Sequence, residues 1–239
     1  MPTIPTNITV EQFAAAMKHT RESTSSSPSG RHYGHYRTLL RDHELLACIT
    51  SLANICFQWG VTLKRWTRVT QPLIPNDPGT PRITRLRRIA LIEADLNVCL
   101  SELFNRRLMP NAEKHGLLHP CQFGARKGKM AIEAVLLKRI SYDIIRQSWM
   151  DACIFDNDAT ACYDRMIPSI VMIKCRHAGM PKPAARVVLT VLQRMKYYVR
   201  MAYGTSPQAF FQCYRLDTRH HTGLWPFLPV MGTNQQCHA

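Results

Sequence analysis

Apolar positions along this chain repeat at helical spacing in some stretches and alternate or cluster in others, and these changes mark out the elements. Val10, Phe13 and Met17 follow Thr9, and Gln12 completes a capping box with Thr9, so a short helix is predicted from near residue 10, ending before Ser23. Leu45, Leu46, Ile49, Leu52, Ala53 and Cys56 recur at helical intervals between His43 and Phe57, with Gly60 as the stop, and read as a core helix. Val69 to Pro75 reads as a strand, Asn76-Asp-Pro-Gly79 as a turn, and Arg82 to Ile89 as the second strand of a hairpin. Glu93 to Met109 is predicted helical, with Leu96, Leu100, Leu103, Phe104 and Leu108 on the apolar side and Arg106 and Arg107 at its C-terminal end. Further helices are predicted from Ala131 to Arg146 (Val135, Leu136, Ile140 and Ile144 at helical intervals), from Pro168 to Gly179, and from Pro181 to Lys196 with Val188, Val191, Leu192 and Met195 as the buried row. Tyr197 to Tyr203 is a predicted strand closed by Gly204.

Between the first two helices, Glu22 to Arg37 begins as a Ser-rich linker and turns rich in His, Tyr and Arg, which on its own is a surface loop. His32 and His35 are assigned structural or surface roles, since no third metal ligand stands nearby.

Charge changes the picture. The 239 residues are 46% hydrophobic, enough for a core, and carry 31 Lys plus Arg against 16 Asp plus Glu, a formal net charge of +15. That surplus points to a polyanion, nucleic acid before any membrane surface, and no apolar run is long enough for a membrane span. The nine cysteines show no Cys-x-x-Cys spacing, which argues against a zinc ribbon. Their odd number, with no secretory signal, predicts buried thiols in a reducing compartment: an intracellular protein, cytoplasmic or nuclear, not secreted.

The stretch richest in chemistry is the apolar run Ala152, Cys153, Ile154, Phe155, followed by Asp156 and Asp158, whose side chains share one side of an extended chain. Paired carboxylates at a strand end suit a hard divalent cation, or alternatively cap the helix that follows. Asp158-Ala-Thr-Ala-Cys-Tyr163-Asp164 resembles palm motif A of reverse transcriptases of the non-long-terminal-repeat and related retroelement classes. The resemblance implies Asp158 as the catalytic, metal-binding carboxylate and Tyr163 as the gate against a ribose 2'-hydroxyl. Asp156 competes for the first role, but the residue five positions on is Ala161, which gates nothing.

Further segments resemble the same family in the same order. Ser-Pro-Ser-Gly-Arg-His-Tyr-Gly-His-Tyr, with Arg31, is similar to a segment upstream of the fingers, where basic and aromatic side chains meet the template. Leu73-Ile-Pro, the turn and the Arg-rich strand resemble the fingers hairpin, which implies Arg82 at the incoming triphosphate and Arg87 as the motif's arginine. Asn76 stands where the family commonly has Lys, and Arg88 where it has Pro; taken alone, the Arg cluster is equally an edge strand protected by charge. Gln122-Phe-Gly-Ala-Arg126-Lys127-Gly-Lys129 is similar to a template-contacting loop, and taken alone is a basic turn.

The resemblance spans roughly residues 22 to 206 and implies an α+β fold of fingers and an incomplete palm, helix-rich with short strands. Its expected divisions are 1–66 as a helical lead-in, 67–150 as the fingers-like region, 151–206 as a partial palm, and 207–239 as an aberrant or disordered tail. The expected function is template-directed nucleotidyl transfer with two Mg2+ ions, taking an RNA template, a DNA primer or hybrid duplex, and deoxynucleoside triphosphates. After residue 207 no Gln-Gly motif B and no aromatic-x-Asp-Asp motif C occurs, so the 239 residues are expected to be a fragment that binds Mg2+ weakly and is inactive alone, with a frameshift between about 207 and 215 as the expected origin. The alternatives are a non-catalytic RNA or RNA–DNA hybrid binding remnant and a fragment of an RNA-dependent RNA polymerase.

Overall fold

The computed structural model describes residues 1–20, 28–75, 79, 86–154, 166–201 and 203–211. Helix α1 (Val10–His19) opens on the capping box read from the sequence: the Gln12 amide donates to the Thr9 hydroxyl at 3.2 Å, and the Thr9 amide donates to the Gln12 side chain at 3.0 Å. Helix α3 (His43–Trp59) is capped by Asp42, whose carboxylate accepts from the Glu44 and Leu45 amides, and ends at Gly60 with φ +71°. It buries Leu46, Thr50, Ala53, Cys56 and Phe57, but Leu45 and Leu52, expected in the core, are 50% and 43% exposed. The buried arc of α3 is fully served by its other face, so these two leucines look outward.

The stretch expected as a surface loop is instead a short helix, α2 (Tyr33–Thr38), with Tyr33 and Tyr36 buried. Its N-terminus is held by two imidazoles: the Gly34 amide donates to His32 Nδ1 and the His32 amide to His35 Nδ1, each at 3.2 Å. Histidine is not among the usual capping residues, which is why the pattern gave no helix signal there.

One mixed sheet organises the strands. β1 (Arg68–Pro75) runs parallel to β3 (Lys196–Met201), β2 (Leu86–Arg88) pairs antiparallel with the C-terminal end of β1, and β4 (Gly204–Thr205) and β5 (Phe210–Phe211) pair antiparallel with β3. The predicted antiparallel pairing is present in register Ile74 to Arg87, while the predicted turn, apart from Gly79, and residues 80–85 of the second strand's approach lie outside the described residues. The predicted helix from 93 to 109 is divided into α4 (Ala94–Leu103), a π-helical turn (Phe104–Leu108) and α5 (Met109–Lys114). Within that turn Arg107 donates to the Pro5 and Asn7 carbonyls at 2.8 and 3.1 Å and to Gln12 at 2.8 Å, and pairs with buried Glu102. It ties the N-terminal segment down rather than merely answering a helix dipole.

The remaining helices are α6 (Ala131–Gln147), α7 (Pro168–His177) and α8 (Lys182–Gln193). Val188, Val191, Leu192 and Met195 are buried as predicted, whereas Val135, Leu136, Ile140 and Ile144 of α6 all remain 46–61% exposed. Phe13, Trp66, Leu96, Leu103, Val188 and Tyr197 belong to one core, so each of the segments 1–66, 67–150 and 151–206 contributes to it. Of the described cysteines, Cys56, Cys99 and Cys175 are buried thiols as expected, but Cys48, Cys121 and Cys153 are exposed. The architecture is α+β, with more than half of the described residues helical. Among the described residues no helix is long and apolar enough to cross a membrane.

Gly179 closes the seam between the N-terminus and α7: the Ile4 amide donates to its carbonyl at 2.9 Å, and Asn111 donates to the Ala178 carbonyl at 2.8 Å. Its φ is +104°, and a Cβ there would stand 2.5 Å from the Pro2 carbonyl oxygen and 2.7 Å from Asn111 Nδ2. Gly179→Ala is therefore expected to cost about 2 kcal/mol or more through backbone strain alone; thermal unfolding of the variant checks this, and an unchanged Tm refutes it.

Candidate nucleic-acid interface

Alternation along a strand sends successive side chains to opposite faces of a sheet, and residues paired in register share a face. Register places Arg68 beside Lys196, Thr70 beside Tyr198 and Pro72 beside Arg200, while Phe211 pairs with Lys196 and Arg87 with Ile74. One face thus carries Arg68, Arg87, Lys196, Arg200 and Phe211, all exposed, with half-buried Tyr198 and Pro72 and, at its centre, Thr70 buried at 4% exposure. The opposite face sends Val69, Gln71 and Tyr197 into the core. The five strands hold Arg68, Arg87, Arg88, Lys196 and Arg200 but no Asp or Glu.

The cations on this face are held by rings. The Arg68 guanidinium lies 5.4 Å from the centre of the Tyr198 ring, with Nη2 3.5 Å from the phenol oxygen, and Lys196 Nζ lies 5.4 Å from the Phe211 ring. Charge and flat apolar surface alternate at strand spacing, the combination that grips phosphates and stacks bases. The sequence signal was the two-residue alternation of Lys196, Tyr198 and Arg200 against Tyr197 and Val199, but its partner Arg68 lies 128 positions earlier and only the parallel pairing joins them.

The face is positioned by a buried polar cluster at the foot of β1. Arg65, in the turn leading into the strand, donates to Asp95 through both Nη1, at 2.7 Å, and Nη2, and to Glu93 Oε2 at 3.2 Å. Trp66 Nε1 donates to Asp95 at 3.1 Å, Ser29 to Glu93 at 3.0 Å, and Arg65 Nη1 reaches the Tyr36 hydroxyl at 3.4 Å. Glu93 and Asp95 are almost fully buried, at 0% and 2% exposure. Burial, helped by the Asp95 charge, pushes the Tyr36 phenol up to about 12. Burial also raises the Cys56 and Cys99 thiols and takes Cys175 to about 12. The sequence marked Glu93 only as a helix start; two acids ahead of an apolar helix were the available sign.

Of the site residues expected from the sequence, Asp158, Tyr163 and Arg82 lie outside the described residues. Arg87 is exposed on β2 and belongs to the sheet face. Arg31 is exposed ahead of α2, and Lys127 and Lys129 are exposed on the loop before α6, with Lys129 5.6 Å from the Phe123 ring. No hydrogen bond or ring contact among the described residues joins these three to the sheet face. Arg126 has a different place: its guanidinium pairs with Glu113 at 2.6 Å and donates to the His119 and Gln122 carbonyls at 3.0 and 3.2 Å, so it organises the loop that displays the two lysines. Among the described residues no three His, Cys, Asp or Glu side chains converge as a metal-holding group. Compared with known proteins, the chain matches no family model and no curated protein.

Removing Arg65 takes its guanidinium from two buried carboxylates, so Arg65→Ala is expected to cost about 3–5 kcal/mol, and adding Asp95→Asn to recover part of it; denaturant unfolding of both variants measures this, and an additive second loss refutes the pairing. The raised phenol and thiols bind their protons more tightly folded than unfolded. Stability is therefore expected to fall as pH climbs through about 9 to 12, with Tyr36→Phe flattening its upper end. A denaturation series across that range checks the slope.

Proposed function

We propose that the chain is the fingers and N-terminal palm portion of a retroelement RNA-directed DNA polymerase, and that its sheet face engages template or template–primer hybrid. The open basic and aromatic face of β1, β3 and β5 carries the binding part of this reading. The ordered motifs between residues 22 and 206 support the polymerase part, and the antiparallel pairing of β1 with β2 agrees with it.

In this reading the sheet face and the exposed Arg31, Lys127 and Lys129 hold backbone phosphates, while Tyr198 and Phe211 offer stacking surface. Arg82 and Arg87 address the incoming triphosphate, Tyr163 excludes the ribose 2'-hydroxyl, and Asp158 is the metal ligand. Mg2+ at Asp158 would supply charge neutralisation at the reacting phosphate. With Asp158 the one matched catalytic carboxylate, these 239 residues bind nucleic acid without extending a primer.

A reading as a binding unit without chemistry rests on the same face, and primer extension separates the two. With an oligonucleotide of about ten nucleotides, affinity is expected to fall with salt along a log–log slope of about −2 to −4, as three to five phosphate contacts require. Arg68→Ala with Lys196→Ala is expected to lower that slope by about one, and Tyr198→Ala to weaken binding by about 1–3 kcal/mol. Fluorescence anisotropy at several salt concentrations reads all three, and a flat salt response removes the interface. Mg2+-dependent primer extension by these residues would overturn the assignment of incomplete catalysis. In a longer protein carrying this segment together with motifs B and C, Tyr163→Ala is expected to admit ribonucleotides; unchanged sugar selectivity would overturn the polymerase assignment itself.

A further inference from the structure

Helix α3 is apolar on two faces. Besides the buried row, Cys48 is exposed, as are Leu45, Leu52, Ile55 and Trp59, the four ranging from 43% for Leu52 to 69% for Trp59. Their spacing of three and four residues is that of a coiled-coil seam, and at 3.6 residues per turn they fall within an arc of about 80°. The spacing specifies another helix as the occupant.

Charge narrows the choice. Residues 43–59 contain no Lys or Arg, although the chain has 31 of them, and hold Glu44 as their one carboxylate. A polyanion finds nothing to bind along the helix, and the cations that flank it, Arg41 and Lys64, stand beyond its ends rather than along its length, where a bilayer-bound helix carries them. A surface free of cations is what two copies of a +15 chain need where they touch. The ends of the helix are complementary as well. Asp42 and Glu44 outnumber the exposed Arg41 at its start, whereas exposed Lys64 follows its end and Arg186 packs against Gly60.

We propose that α3 is a self-association surface on which a second copy of this chain docks its own α3 antiparallel. The register that fits sets small Cys48 against Trp59 of the other copy and Leu52 against Ile55. It carries Leu45 to Thr62, next to Val61, which is 52% exposed just beyond the cap, and brings the Asp42 and Glu44 start of each helix to the Lys64 end of the other. Antiparallel packing also opposes the two helix dipoles favourably. A seam of one helix is at the small end of interface sizes, so the dimer is weak and reversible. The proposal stands independently of the nucleic-acid reading.

Sedimentation equilibrium of the full 239-residue chain tests it. A monomer–dimer equilibrium is expected that tightens as salt screens the net charge, opposite in direction to nucleic-acid binding. Leu52→Glu and Ile55→Lys are each expected to abolish the dimer with unchanged Tm, because both positions are exposed, and an equimolar mixture of the two variants to restore it as a heterodimer. Under mild oxidation Trp59→Cys is expected to form a dimer in which Cys48 of one copy is linked to the introduced thiol of the other, identified by peptide mass mapping. A wild-type chain that stays monomeric at every concentration overturns the proposal, as does a dimer untouched by Leu52→Glu or one linked Cys48 to Cys48. A monomer whose Tm falls with Leu52→Glu places another segment of the same chain on this face and overturns it too.

Discussion

Glu93 and Asp95 are buried where the Arg65 guanidinium reaches both, and several parts of the molecule meet at that contact. The three residues join two segments, the turn before β1 and the entry to α4. A buried ion cluster of this kind adds little net stability over an apolar replacement, but it accepts few alternative arrangements. Ser29 and Tyr36 add their hydroxyls to it and Trp66 its indole N–H, so the 28–38 segment is also fixed against the same centre. The effect is to hold the start of β1 rigidly, three residues from Arg68.

That constraint gives the sheet its two unlike faces. Val69 and Gln71 face the core while Arg68 at the start of the strand is exposed on the other side, although Thr70, which shares that side, is buried as well. The parallel pairing then imposes the same phase on β3, so that Tyr197 is inside while Lys196, Tyr198 and Arg200 are outside. Slipping the register by one residue would bury Arg68 or Lys196 without a partner, so the basic face follows from core packing. Gln71 Nε2, buried with no hydrogen-bond partner, is a cost of the same phase.

What the sequence revealed was local. The Thr9–Gln12 box, the Gly60 and Gly179 stops and the buried row of α8 each depend on residues within a turn or two, and each is present in the structure. What it hid was either nonlocal or chemically unusual. Imidazole caps at His32 and His35 concealed α2, and a π-helical turn, whose Arg107 donates to the Pro5 and Asn7 carbonyls, interrupts the helix expected from 93 to 109. Leu45 and Leu52 fit the same helical period as Leu46 and Ala53, and periodicity alone does not say which of two apolar faces meets the core. Arg126 read as a cation for phosphate, yet Glu113 thirteen residues earlier takes its guanidinium. The motif A residues Asp158 and Tyr163 lie outside the described residues, so their roles rest on sequence resemblance.

The sheet face and the outer face of α3 divide the surface chemistry of one strongly basic chain, and the division has a thermodynamic consequence. Bringing two copies together places two charges of +15 near one another, and that repulsion opposes the apolar gain along α3. A polyanion on the sheet face neutralises part of each charge without occupying α3. On the two proposals together the binding events are linked: nucleic acid would lower the cost of association, and association would raise the affinity for nucleic acid by the same factor. The coupling is purely electrostatic, so it is largest at low salt and vanishes once the Debye length is short compared with the separation of the two sheet faces. Titrating a short single-stranded oligonucleotide into the chain at fixed low salt, with sedimentation read at each step, is expected to show the dimer fraction rising with occupancy. A dimer fraction indifferent to the oligonucleotide at low salt shows that the net charge does not limit association, and that the absence of cations from α3 has another cause.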